Sequence, residues 1–323
     1  MEAIIHCGFF KTGTTSIQNT LYENKKYLLE KGVLYPSSGI DDKALKESSE
    51  IGYRHSKLAY MYGSPKYQQL LRSLVLELRN TKHDRLFLSA EPWSNPKTIR
   101  SLNTTIQELK KIGYKDVKGI VILRNIQDYM IKHYREWTRR HGSSLKINNY
   151  IISQNYYFDY LTICRNISQA FNGNVEFYSY DRITDARDPI FDKIKVKKEN
   201  LKQPQNTNKG YSCFDAEISR IANTYRLKVE KMPYADALLD CFGLKPQNHL
   251  YSEKVSPEIK KTYNAEYAEK LSCVTGLTFE TCQDLLKVSE NTKTDIYKST
   301  KILEAAFLEW LKLPQKEKEA HCD

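Results

Sequence analysis

Residues 3–7, Ala-Ile-Ile-His-Cys, form a short apolar run leading directly into Gly8-Phe9-Phe10-Lys11-Thr12-Gly13-Thr14-Thr15-Ser16. No other feature constrains the fold as strongly. A run this short, without alternation, is the pattern of a strand covered on both faces, as in a parallel sheet. Helical spacing follows the loop: Ile17, Leu21 and Leu28 share a face, and Gly32 is placed to stop the helix. Further apolar runs repeat the design. Leu86-Phe87-Leu88 ends in Ser89-Ala90-Glu91-Pro92-Trp93, Gly119-Ile120-Val121-Ile122-Leu123 ends at Arg124, and Val175 to Tyr180 forms a fourth strand. Helical stripes lie between them: Leu71, Leu74 and Leu78; Ile99, Leu102, Ile106, Leu109 and Ile112 after Pro96; and Ile126, Met130, Tyr134 and Trp137. Strands alternating with helices predict an α/β fold with a parallel sheet flanked by helices. We assign residues 1–210 to this α/β core. A basic, irregular stretch from Lys193 to Gln205 closes it. Residues 211–323 predict a mostly helical C-terminal part, serving as cover and substrate wall of the same domain or as a small subdomain.

In open parallel sheets, ligands bind at the carboxyl ends of the strands. The first such end here is built for an anion. Small residues let backbone N–H groups converge, the following helix N-terminus adds partial positive charge, and Lys11 adds a full one. Thr14, Thr15 and Ser16 offer hydroxyls. Fifty Lys+Arg against 39 Asp+Glu give a formal charge of +11, which directs attention to anionic partners. The Walker A spacing is absent, because Lys11 precedes Gly13 instead of following it.

The segment His6 to Gln18, continued by Gly32-Val33-Leu34-Tyr35-Pro36, resembles the 5′-phosphosulfate loop of the PAPS-dependent sulfotransferases, especially bacterial carbohydrate-type members. The resemblance implies a three-layer, P-loop-like α/β domain that binds 3′-phosphoadenosine 5′-phosphosulfate and moves its sulfuryl group to a hydroxyl of a glycan, glycolipid or related acceptor. By match to the motif, the amides of Thr12, Gly13, Thr14 and Thr15, with Ser16, would hold the 5′-phosphate, and Lys11 would contact the oxygen bridging phosphate and sulfate. Arg124 fits the family's strand-end arginine for the 3′-phosphate. The helix position eight residues on is Lys132 where the family has serine; Arg135, Arg139 and Arg140 are alternatives. Asn208-Lys209-Gly210-Tyr211-Ser212 loosely resembles a later nucleotide segment.

Transfer to a hydroxyl needs a base. Glu91 and His55 are the candidates, alone or together: Ser89-Ala90-Glu91 looks like the family's Ser-x-Glu segment, and Gly52-Tyr53-Arg54-His55 like a His-containing helix start. Trp93, Trp137 and the 23 tyrosines offer faces for sugar rings, Trp93 foremost because it follows Glu91 at a strand end. No metal site is expected. A P-loop-like kinase is the competing reading and would use Asp181 for a metal, although the family pattern has a Tyr-Asp pair there without that role. A nucleic-acid-binding protein rests on charge alone. The start of the chain lacks a secretory pattern, and seven scattered cysteines form no C-x-x-C pair, so a cytoplasmic setting is expected, with peripheral membrane contact a further candidate.

Overall fold

The computed structural model describes residues 1–41, 52–203, 211–224 and 255–288, together with 305, 307–309 and 312. Along the chain the elements are β1 (Glu2–His6), α1 (Thr14–Glu23), α2 (Lys25–Glu30), β2 (Val33–Leu34), α3 (Lys57–Tyr60), α4 (Pro65–Asn80), β3 (Arg85–Ser89), α5 (Ile99–Lys111) and β4 (Asp116–Leu123). They continue as α6 (Ile126–His141), α7 (Ile147–Ser153), α8 (Tyr160–Ala170), β5 (Val175–Ser179), α9 (Asp188–Ile194), α10 (Cys213–Thr224), α11 (Pro257–Thr262), α12 (Ala265–Thr275) and α13 (Phe279–Leu286). Asn208, Lys209 and Gly210 of the candidate nucleotide segment lie outside the described residues.

The chain divides into two units, each discontinuous in sequence. Residues 1–126, 156–208 and 263–287 form the first, and residues 127–155, 209–262 and 288–323 the second. Residues 263–287, from the helical C-terminal third, therefore belong with the sheet.

The first unit carries a five-stranded sheet in the order β2-β3-β1-β4-β5, parallel throughout. The α/β expectation holds. Alternation sorts the strand residues onto two faces. Ile4, Phe87, Ile120 and Ile122 share one face and pack in one core with Ile17 and Leu21 of α1, Leu28 of α2, and Ile190, Phe191 and Ile194 of α9. Ala3, Ile5, Leu86, Leu88 and Val121 point the other way and are equally buried. Each such large aliphatic or aromatic side chain stabilises the fold by roughly 1.5–3 kcal/mol. This double coverage explains why the strands read as continuous apolar runs.

The expected first helix is two. Asn24 separates α1 from α2, its amide donating to Thr20 O at 2.8 Å and to Lys202 O at 2.9 Å while its Oδ1 accepts from Lys202 N–H at 2.9 Å. Gly32, with φ 75°, ends α2 as expected. In the second unit, α6 and α7 are joined by Tyr150, whose hydroxyl meets His133 Nδ1 at 2.7 Å.

Candidate functional site

The strand order creates a specific crevice. From β1 the chain passes toward β2 and β3 on one side, whereas from β4 it passes to β5 on the other. The carboxyl ends of neighbouring β1 and β4 are thus a topological switch point, where open α/β sheets bind ligands.

The loop leaving β1 sits there. Its shape is dictated by close packing: a Cβ at Gly8 would lie 2.5 Å from Thr14 Cγ2 and 3.2 Å from His6 Cε1, so a side chain at that position would displace Thr14. Phe9 is buried edge-on to Tyr160, with ring centroids 5.2 Å apart. Gly13 has φ 77°, and a Cβ there would approach Ala186 Cβ to 3.0 Å. Lys11 has φ 65°, a left-handed conformation uncommon for a residue with a side chain. Helix α1 then starts at Thr14 without a side-chain cap or an acidic residue in its first turn. Its leading N–H groups and the positive end of its dipole are directed at the loop.

Arg124 leaves the end of β4 and donates from NH1 to Lys11 O at 2.6 Å, tying the two strand ends together. Its guanidinium stacks over Tyr180 at 4.7 Å, and its own carbonyl accepts from Tyr160 OH at 2.8 Å. Asn125 N–H donates to Asp181 Oδ2 at 2.7 Å, which gives the aspartate of the kinase alternative a part in holding this turn. Lys132 lies on α6 within the second unit, its Nζ 3.8 Å from Asp128 Oδ2. Of the alternative arginines in that unit, Arg135 donates to Tyr211 O at 3.4 Å and Arg140 Nε to Tyr211 OH at 3.3 Å.

The Thr14 hydroxyl is used differently from expectation. Thr12 Oγ1 donates to Phe9 O at 2.8 Å, and Thr14 Oγ1 donates to Glu91 Oε1. Both hydroxyls are engaged within the protein, that of Thr14 on the Glu91 carboxylate, so to a bound phosphate these two threonines offer their amides. Thr15 and Ser16 are half-buried.

Glu91 begins a short 3₁₀ turn after β3 and is buried beside the loop. Its Oε2 accepts from Arg54 NH1 at 2.9 Å. The carboxylate is thus gripped by α1 through Thr14 and by Arg54, yet each oxygen retains a second lone pair. Arg54 is brought there by its neighbours. Tyr53 stacks on Tyr22 at 3.8 Å, Gly52 has φ 75° and packs directly on Gln18 and Thr15, and His55 pairs with the end of β3.

That pairing corrects the expectation for His55. Its backbone N–H donates to Ser89 O at 2.8 Å, its Nδ1 accepts from Ser89 N–H at 3.1 Å, and its Nε2–H donates to Pro36 O at 2.9 Å. The ring is fully buried, and burial lowers its pKa to about 4. A neutral imidazole with both nitrogens committed to backbone serves as a brace for residues 52–56. Trp93 is corrected too. It is fully buried with Nε1 donating to Ser101 Oγ at 3.2 Å, and presents no face to a sugar.

No family model matches the chain, and no curated protein does. Among solved structures, the sulfotransferase from Alicyclobacillus acidocaldarius is similar over 88% of this chain and 99% of that one, at 12% identity and a TM-score of 0.39. At that level nothing about function follows from the likeness.

The site thus brings together Lys11, Gly13, Thr14, Glu91 and Arg124. Sequence reasoning missed Arg54, which stands beside the singled-out His55, and Tyr180. Among the described residues, no helix is long and apolar enough to cross a membrane.

Proposed function

We propose that the chain is a sulfotransferase that takes a sulfuryl group from 3′-phosphoadenosine 5′-phosphosulfate and transfers it to a hydroxyl acceptor. One observation carries the reading. At the switch point, Arg124 holds the carbonyl of a left-handed Lys11 directly before an uncapped helix start. An ammonium, a positive dipole end and a guanidinium at one crevice suit a donor with two separated phosphates.

In this reading the amides of Thr12 to Thr15 bind the 5′-phosphate, assisted by Ser16, and Arg124 binds the 3′-phosphate. Lys132 remains a candidate for the same phosphate. As the sulfur–oxygen bond breaks, charge gathers on the bridging oxygen. Lys11 is the residue to stabilise it, and a preorganised donor of this kind contributes on the order of 10²–10³ in kcat. Glu91 is the base that takes the acceptor proton, held in place by Thr14 and Arg54, while His55 braces the segment carrying Arg54. A glycan or lipid-linked glycan is the acceptor that the loop's resemblance suggests.

A thermal-shift titration with adenosine 3′,5′-bisphosphate, without magnesium, tests the reading. At ligand near 100 times Kd, stability should rise by about 2.7 kcal/mol. Absence of a shift with the bisphosphate, alongside one with ATP and magnesium, would replace this reading by that of a kinase.

A further inference from the structure

We infer that Tyr160 is a positioning residue of the donor site, an inference that rests on the donor reading above. Its hydroxyl, acting opposite Asp181, fixes the one peptide group from which Arg124 reaches across to the Lys11 turn.

The carbonyl of Arg124 and the N–H of Asn125 are the two polar ends of a single planar unit and point in opposite directions. Both ends are held. Tyr160 OH donates to the carbonyl at 2.8 Å, and the N–H donates to Asp181 Oδ2 at 2.7 Å. A planar group gripped at both ends loses its freedom to rotate about the chain. The direction in which the Arg124 side chain leaves β4 is thereby set, and the bond from its NH1 to Lys11 O, 2.6 Å long, depends on that direction. A binding group is only as accurately placed as the hydrogen bonds that orient it.

Tyr160 is itself firmly set. It is fully buried, and its ring meets that of Phe9, two residues before Lys11, so one side chain touches both the β1 loop and the β4 turn. It opens α8, whose first turn is pinned from α12: Leu161 N–H donates to Tyr267 OH at 2.9 Å, and that hydroxyl donates to Asp159 Oδ1 at 2.9 Å. Asp159 also caps α8 by accepting from Thr162 N–H at 3.1 Å. The far side of the turn is tied to α13, where Asn125 Nδ2 donates to the carbonyls of Asp284 and Lys287, each at 2.9 Å. Carbonyls at a helix end need partners from outside the helix, and here the turn after β4 supplies them. Residues 263–287 thus act as the scaffold that holds Arg124 in place.

Tyr160→Phe deletes the hydroxyl and leaves the ring against Phe9. Calorimetric titration of the full chain with adenosine 3′,5′-bisphosphate and with adenosine 5′-monophosphate isolates the contact to the 3′-phosphate, because the two ligands differ only there. The wild-type chain should prefer the bisphosphate by about tenfold or more, as a charge-assisted contact gives. Tyr160→Phe should narrow that preference by roughly 3- to 10-fold while the monophosphate Kd stays within about twofold. Asp181→Ala should narrow it likewise relative to Asp181→Asn, which loses the charge but keeps an oxygen for the amide. Tyr114→Phe removes a buried hydroxyl elsewhere in the same unit, the partner of His83 Nε2, and should leave the preference unchanged. An unchanged preference in Tyr160→Phe, or an equal narrowing in Tyr114→Phe, overturns the inference. So does an Asp181→Ala variant indistinguishable from Asp181→Asn. Equal wild-type affinity for the two ligands, or no binding of either, removes the donor reading instead. Hydrogen–deuterium exchange without nucleotide then decides this one: Tyr160→Phe should speed exchange of the amides of residues 9–15 by at least about threefold while Tyr114→Phe does not, and unchanged exchange overturns it.

Discussion

Lys11 permits a test in which stability and activity move in opposite directions. Its φ of 65° places an L-residue in the left-handed region, which costs roughly 1–2 kcal/mol relative to ordinary backbone. Alanine at this position has the same difficulty, whereas glycine does not, although glycine loses about 0.5–1 kcal/mol more entropy on folding. Lys11→Gly should therefore be more stable than Lys11→Ala by about 0.5–1 kcal/mol, or roughly 1–4 °C in Tm for a unit of this size. Comparing the two variants with each other cancels the loss of the ammonium. Differential scanning fluorimetry and urea denaturation provide the measurement. Under the proposed function, both variants should lose on the order of 10²-fold in kcat while the bisphosphate still binds. If Lys11→Gly proves less stable than Lys11→Ala, the left-handed backbone is not strained, and the inference from strain to function fails with it.

Three further outcomes follow from the packing around β3. Arg54→Gln leaves the buried Glu91 carboxylate without its ion partner and should destabilise by about 2–3 kcal/mol, less than for a fully buried pair because Arg54 is 23% exposed. Adding Glu91→Gln should recover part of that loss, and strict additivity in the urea-derived values of the double variant would show that the pair is not coupled. His6 and His55 are both buried with pKa lowered to about 4, so each binds a proton more weakly folded than unfolded. Their contribution is complete above pH 6.5 and is lost as pH falls toward 4, by up to about 3 kcal/mol each. Chemical denaturation across that range should show stability rising with pH, and His55→Gln should flatten the slope; a flat wild-type profile would contradict the neutral assignment. Finally, Gly8→Ala should cost about 1–3 kcal/mol through its contact with Thr14 and, under the proposed function, should impair turnover as well, because Thr14 holds Glu91. Normal turnover in that variant would dissociate the Thr14–Glu91 contact from catalysis.

The strands were legible because burial on both faces leaves an unbroken apolar run, and the loop after β1 because glycine, threonine and lysine announce themselves locally. The two-residue β2 left no pattern, since Val33-Leu34 is too short for either periodicity. The break at Asn24 depends on Lys202, a partner 178 positions away, and so has no local signature. The same is true of Arg54: nothing in Gly-Tyr-Arg-His reveals that its guanidinium will reach a glutamate 37 positions on. His55 and Trp93 illustrate the opposite error. Their chemistry drew attention, but burial had already committed both, one to backbone amides and carbonyls and one to a serine hydroxyl.

Topology explains why Lys11 and Arg124 meet at all. They are separated by 113 positions, and neither local segment specifies the other. Once β1 and β4 lie side by side with their onward connections diverging, the residues leaving the two strands must share the crevice. The bond from Arg124 to Lys11 O then links two tasks. A guanidinium carries five donors, so it can keep the carbonyl while another edge meets a phosphate. The group that would read one end of the donor is therefore also the one that fixes the backbone presenting the lysine at the other. Under the proposed function, donor binding and lysine placement would be a single structural event, which would account for a strained residue where a glycine would fold more easily.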